Sequence, residues 1–107
     1  MFNVHGNNIY INKGERASFT VVPYDDDGNE HVMEVGEFLR LTVRKYGYDK
    51  WHIDSEKGYT TFEITEKETA RAGKFDYDVK LVYPDGSEAT IIGETANFTP
   101  HFVVLEG

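Results

Sequence analysis

The chain has 107 residues, enough for one domain with a buried core but too few for two. Hydrophobic residues make up 39% and aromatic residues 14%, which argues against a disordered chain. Nineteen acidic and eleven basic residues give a net charge of −8, and this field repels nucleic-acid phosphates and anionic lipids. Cysteine is absent, which excludes disulfides and thiolate metal sites. We therefore expect a single domain over residues 1–107, made in a reducing cytosol, that binds neither nucleic acid nor membrane.

Hydrophobic and polar residues alternate in the runs 16–22, 38–44 and 75–83, which predicts strands with one buried and one exposed face. Asp-Gly pairs at 27–28 and 85–86 favour tight hairpin turns between antiparallel neighbours. No long crossover helices separate the runs. The spacing therefore predicts an all-β fold, an antiparallel, Ig-like (immunoglobulin-like) β-sandwich of seven or eight short strands.

One segment departs from the two-residue period. Thr65 and Glu68 have the spacing of a helix capping box. Gly73 is placed to end a helix in a left-handed conformation. We therefore predict one short helical turn near residues 66–72.

The run Asp25, Asp26, Asp27 and Gly28 allows two interpretations. In a calcium-loop register the first ligand position would be Pro23, which has no side-chain oxygen, so an acidic hairpin turn is favoured and a loose cation site stays open. The four histidines lack zinc-ligand spacing, and the serines lie outside any nucleophile-elbow motif. We accordingly predict no metal, no cofactor and no enzymatic activity.

Aromatic residues are densest in one stretch of the middle of the chain, at Tyr46, Tyr48, Trp51 and Tyr59. They could cap the core at a strand turn, form a protein-contact face, or stack on sugar rings. All three interpretations remain open from the residues alone.

The C-terminal run 102–105 is the most apolar in the chain. Its residues Phe102 and Val104 are candidates for a subunit or edge contact. The alternative is a last core strand, and the sequence does not decide between the two.

Several segments occur in an order that is typical of a known family. They are residues 9–15, 19–21, 25–28, 39–44, 62–65, 68–70, 75–81 and 85–86, the most specific being Phe-Asp-Tyr-Asp at 75–78. Over about residues 9–104 the chain resembles the small β-sandwich domains of phage and prophage tail and baseplate proteins, as at the N-terminus of baseplate upper proteins.

The resemblance implies a non-enzymatic structural protein of a phage or prophage tail or baseplate that acts through protein–protein contacts. Its partners would be other phage structural proteins or further copies of itself in a homo-oligomer. It would be made in the bacterial cytoplasm and be located in the virion. The alternative function is a carbohydrate-binding module that uses the aromatic cluster of Tyr46, Tyr48 and Trp51.

The Phe-Asp-Tyr-Asp strand also has a structural interpretation. The ring of Tyr77 is expected in the core, with its hydroxyl bonded to a backbone group at the helical turn, as in the tyrosine corner of sandwich domains. On the opposite face, Asp78 is expected to bond Arg40, Arg44 or a neighbouring backbone amide.

Overall fold

A computed structural model describes residues 2–106, apart from the side chains of Asn3 and His5. Nine strands occur in this part of the chain, and no helix does. They are β1 (Asn3–His5), β2 (Asn8–Asn12), β3 (Ala17–Thr20), β4 (Phe38–Lys45), β5 (Tyr48–Asp54), β6 (Thr61–Ile64), β7 (Gly73–Val82), β8 (Glu88–Ile92) and β9 (His101–Leu105).

Seven strands form one large sheet in the order β1-β2-β9-β7-β4-β5, with β8 paired to β7 beside β9. Strand β7 is long enough to have two partners on one edge, because Gly73–Asp76 pairs with β9 and Val79–Val82 pairs with β8. All pairs in this sheet are antiparallel except β2–β9, which is parallel and aligns Ile9 with Phe102. The parallel pair joins the first and last parts of the chain in one sheet.

The other two strands, β3 and β6, form a small antiparallel sheet that packs on one face of the large sheet. The Phe19 and Phe62 rings lie side by side on this sheet, with centroids 5.6 Å apart. Buried side chains from both sheets form one hydrophobic core, because alternate residues of each strand point inward. Its members are Ile9, Ile11, Val21, Leu39, Leu41, Val43, Phe62, Ile64, Tyr77, Val79, Leu81, Phe102 and Val104.

The all-β prediction is confirmed, whereas two of its details are wrong. The structure has nine strands rather than seven or eight, and the sheet is mixed rather than antiparallel. The parallel β2–β9 pair could not be predicted from local sequence patterns, because its two strands are more than ninety residues apart in the chain. Turn motifs mark only neighbours in the sequence.

The short helical turn predicted near residues 66–72 is also wrong. The carboxylate of Glu68 does accept hydrogen bonds from the Thr65 amide and hydroxyl, both at 2.9 Å, as one half of a capping box. A single turn follows, and the buried hydroxyl of Thr69 then donates to the carbonyl of Glu15 at 2.9 Å. This bond ties the segment to the β2–β3 connection, and tertiary contacts of this kind override a two-turn helix of marginal stability.

Gly73 does not end a helix. It is the first residue of β7, with a φ of 154°, and it pairs with Val104 of β9. A Cβ atom at this position would lie 3.3 Å from both the Lys45 ammonium nitrogen and the Phe75 ring, so close packing favours glycine here.

Both Asp-Gly turns are present. At the first, one carboxylate oxygen of Asp25 accepts hydrogen bonds from the amides of Asp27 and Asn29, each at 2.9 Å. Gly28 has a φ of 83°, which the turn requires. The acidic segment thus forms the tip of a small hairpin, closed by the bridge between Tyr24 and Glu30.

Candidate functional site

Two of the predicted interaction residues lie at the turn between β4 and β5. Tyr46 and Gly47 are its two central residues, with φ values of 54° and 80°. Two positive φ values in a two-residue loop are typical of a type I′ hairpin. Tyr46 and Tyr48 project from this turn, and they are 86% and 75% exposed.

Trp51 and Tyr59 are positioned differently. Trp51 is opposite Val43 of β4, so its half-buried ring faces the core side, where it packs edge-on against Phe102 with centroids 5.4 Å apart. Tyr59 is exposed, but it follows the far end of β5. The predicted aromatic cluster is therefore divided, with Tyr46, Tyr48 and Trp51 near one end of β5 and Tyr59 beyond the other.

The side chains of Phe102 and Val104 are 0% and 3% exposed. They belong to β9, which lies between β2 and β7 rather than at a sheet edge. Of the two alternatives for this run, the structure therefore supports a last core strand. Neither side chain is accessible to a partner that binds the folded chain.

A groove of about 500 Å³ opens beside Trp51, between the end of the large sheet and the 65–72 connection. We call it the basic groove, and its lining residues are Lys45, Lys50, Trp51, Lys67, Glu68, Ala70, Arg71, Ala72 and Phe75. Its size is in the range of pockets that bind small ligands or a few side chains. Aromatic rings and cationic groups therefore line the same groove.

The cations of the basic groove are not neutralised by the protein. In the described part of the chain, no carboxylate lies within 4 Å of Lys45, Lys50, Lys67 or Arg71. Lys45 instead lies over the Phe75 ring, its ammonium nitrogen 5.0 Å from the centroid. Against these four cations the groove has one carboxylate, that of Glu68, which accepts hydrogen bonds from Thr65. The groove therefore presents an excess of positive charge on a chain whose net charge is negative.

Cations on the outer face of the large sheet are paired instead. Arg44 donates to Asp49 at 2.7 Å and also to Asp78, so the predicted Asp78–Arg44 contact is confirmed. Arg40 donates to both carboxylate oxygens of Asp54, at 2.8 and 3.1 Å. The arginines of this face are therefore neutralised by neighbouring carboxylates, although the second carboxylate oxygen of Asp78 is buried without a hydrogen-bond partner among the described residues.

Tyr77 is 5% exposed, as its predicted core position requires. Its hydroxyl donates to the backbone carbonyl of Asn7, in the turn between β1 and β2. The predicted acceptor at the helical turn was therefore wrong. Burial raises the pKa of Tyr77 to about 12.

A second groove, of about 550 Å³, is mainly apolar. It lies between the β1–β2 turn, the end of β3 and β8, and Val4, Phe19, Val22, Ile91 and Ile92 contribute to its lining together with the edge of Tyr77. Nothing in the described structure covers it.

A buried acid stands apart from both grooves. The Glu37 carboxylate, 3% exposed, accepts from the Glu34 amide at 2.9 Å and lies 2.8 Å from the His31 ring nitrogen. Burial alone would raise the pKa of Glu37, but the Glu34 amide and the His31 ring together lower it below its usual value. The group connects the acidic hairpin to the start of β4.

Among the described side chains, which do not include that of His5, no group of three or more His, Asp or Glu residues is placed to hold a metal ion. The described residues include no helix of the length and hydrophobicity that crossing a bilayer demands.

Sequence reasoning identified Trp51 and its neighbouring tyrosines but missed the groove cations. These come from β4, β5 and the 65–72 connection, so their proximity has no counterpart in sequence spacing. The one local signal was Lys67 and Arg71, four residues apart, which are typical of one face of a helix that does not form.

No protein-family model, curated protein or solved structure matches the chain.

Proposed function

We propose that the chain is a non-enzymatic structural protein of a phage or prophage tail or baseplate, acting through protein–protein contacts. It would be made in the bacterial cytoplasm and be located in the virion. The observation that supports this proposal best is the β4–β5 end, where Tyr46 and Tyr48 are exposed beside Trp51 and the basic groove. Tyrosine, tryptophan and arginine are the residue types most enriched at the centres of protein interfaces.

We also propose that the fold is an Ig-like sandwich. Strands β9, β7, β4 and β5 are neighbours in the order of strands G, F, C and C′ of variable-type immunoglobulin domains. Under this proposal the antiparallel β3–β6 pair would correspond to strands B and E. Tyr77 lies in the strand equivalent to F, although its hydroxyl bonds the distant β1–β2 turn rather than a residue just upstream.

The proposal is tested first by gene order and then by binding. Genes for tail or baseplate proteins should flank the gene for this chain. The chain should form a stable complex with at least one neighbouring product when the two are co-expressed, as measured by light scattering. Replacing Tyr46 and Tyr48 together by Ala should weaken this complex at least about tenfold, because interface aromatics each contribute on the order of 1–2 kcal/mol.

Tyr59→Ala is the matched control, since Tyr59 is an exposed tyrosine at the other end of β5. It should leave the affinity unchanged. Neighbouring genes unrelated to phage particles, or a complex equally strong in the double variant, would contradict the proposal.

Carbohydrate binding is the second candidate function. It is supported by the two exposed tyrosines next to a groove that contains Trp51, since aromatic faces stack on sugar rings. Trp51 is the single tryptophan, so its fluorescence should change on addition of a bound glycan. A glycan panel that leaves this fluorescence unchanged would eliminate the candidate.

A further inference from the structure

Unpaired positive charge is concentrated at one end of the molecule. Of the eleven lysines and arginines, Arg16, Arg40, Arg44 and Lys80 have a carboxylate within 4 Å in the described structure. The other seven have no carboxylate within 4 Å among the described residues. Lys45, Lys50, Lys67 and Arg71 line the basic groove, and Lys74 lines an adjoining depression that shares Lys45.

The acidic hairpin, residues 24–30, is the densest run of acidic residues in the chain. Every residue of this hairpin is exposed. Asp25 is engaged by two backbone amides, whereas Asp26, Asp27 and Glu30 have no cation within 4 Å in the part of the chain that the structure describes. The hairpin thus offers three exposed carboxylates that have no cationic partner among the described residues.

The groove and the hairpin are connected to opposite ends of β4. Lys45, in the groove, is the last residue of this strand. The base of the hairpin is held at the other end of β4. There the backbone amide of His31 donates to the carbonyl of Pro23, and the ring nitrogen of His31 lies 2.8 Å from the carboxylate of Glu37, the residue before β4. An eight-residue strand is about 25 Å long, so the chain does not bring its own hairpin base close to its own groove.

We propose that the basic groove of one copy binds the acidic hairpin of a second copy, so that copies join head to tail. This inference rests on the proposed function in protein–protein contact and specifies one of its surfaces. A contact between two different patches leads to a ring if the rotation closes and to a filament if it does not. The two patches are complementary in charge, and the groove has room for the side chains of a turn.

The net charge of −8 opposes association at long range. Salt at 0.1 M screens charges more than about 10 Å apart, while charges in direct contact are screened less. Local attraction between groove and hairpin therefore prevails at moderate salt. Higher salt weakens this contact as well, so the association should decline between 0.1 and 0.5 M NaCl.

The test is sedimentation velocity on the full chain from 10 μM to 1 mM. At 0.1 M NaCl the weight-average mass should increase with concentration, and at 0.5 M NaCl this increase should diminish. The groove variant, Lys67→Glu with Arg71→Glu, should associate at least tenfold more weakly. Its control, Lys13→Glu with Lys57→Glu, changes the net charge equally outside the groove and should associate like the parent chain within about threefold.

The hairpin variant, Asp26→Lys with Asp27→Lys, should also associate at least tenfold more weakly, although it halves the net negative charge and so reduces general repulsion. An equimolar mixture of the groove and hairpin variants should regain association. The acidic groove of the groove variant is complementary to the basic hairpin of the hairpin variant, and the two unchanged patches are complementary to each other. All four substituted side chains are exposed, and circular dichroism verifies that the variants are folded.

Three results would overturn the inference: a monomer at 1 mM in 0.1 M NaCl, association unaffected by either reversal, or no recovery in the mixture. Quenching of Trp51 by a thymidine oligonucleotide that the groove variant no longer binds would also overturn it, assigning the groove to nucleic acid. A monomeric chain that still binds a neighbouring tail protein would refute this inference alone. Head-to-tail association without any tail-protein partner would refute the proposed function alone.

Discussion

The hydroxyl of Tyr77 offers a direct test of how the core is joined to the first turn of the chain. Tyr77→Phe removes the hydrogen bond to the Asn7 carbonyl and leaves the buried ring in place, so no cavity forms. Asn7 is exposed, and water can therefore replace the lost donor. The expected loss is about 1 kcal/mol, the net value of one hydrogen bond, rather than the larger cost of an unsatisfied buried group.

Urea unfolding followed by Trp51 fluorescence measures this loss, and for a domain of this size it corresponds to a decrease of roughly 4 °C in Tm. Tyr83→Phe is the matched control, because Tyr83 is half-buried and its hydroxyl has no bonding partner among the described residues. It should change the free energy of unfolding by less than about 0.5 kcal/mol.

The same substitution has a pH signature. The pKa of Tyr77 is about 12 in the folded chain against a usual value of 10, so the folded state retains its proton to higher pH. This effect stabilises the fold fully below pH 10 and is lost as the pH rises from 10 to 12, a loss of about 2–3 kcal/mol. Tyr77→Phe should flatten that decline. Equal stability of the two chains at pH 7, together with an equal decline above pH 10, would refute the reasoning.

Three further predictions concern other positions in the chain. Phe102→Ala should lower the free energy of unfolding by about 3–5 kcal/mol in urea titrations, whereas Val103→Ala, on the outer face of the same strand, should cost far less. Gly36→Ala should cost about 1–2 kcal/mol in the same assay, since its φ is 87° and a Cβ would lie 3.1 Å from Pro84; an unchanged midpoint would contradict this. Glu37 has a lowered pKa in the folded chain, so its stabilising effect is present above about pH 4.5 and is lost as the pH falls below that value. Glu37→Gln should therefore lose less stability than the parent chain between pH 5 and pH 3, and equal losses would contradict the assignment.

Strand positions and turns were predictable because their causes are local. The alternation of Leu39, Leu41 and Val43 with polar residues places all three in the core, and each is fully buried. The Asp-Gly turns formed because glycine adopts the positive φ values that these hairpins require. Half of the predicted capping box formed for the same reason, since Thr65 and Glu68 are close in the chain.

The candidate site was only partly predictable. The sequence placed Tyr46 and Tyr48 beside a turn glycine but left open whether they cap the core, and the structure has both exposed. The orientation of Trp51 toward Phe102 did not follow, because it depends on which face of β5 meets the rest of the sheet. The grouping of Lys67 and Arg71 with cations of β4 and β5 depends on the same long-range packing.

The amino-acid sequence by itself determined that the chain folds into strands, where the Asp-Gly hairpins reverse it and which side chains of the alternating runs face the core. These properties depend on side-chain period and on backbone preferences within a few residues. Only the tertiary structure decided that β2 runs parallel to β9, that residues 66–69 form a turn instead of a helix, and that the unpaired cations meet in one groove. Each of these outcomes depends on contacts between residues far apart in the chain, where the free energy of packing outweighs local preference.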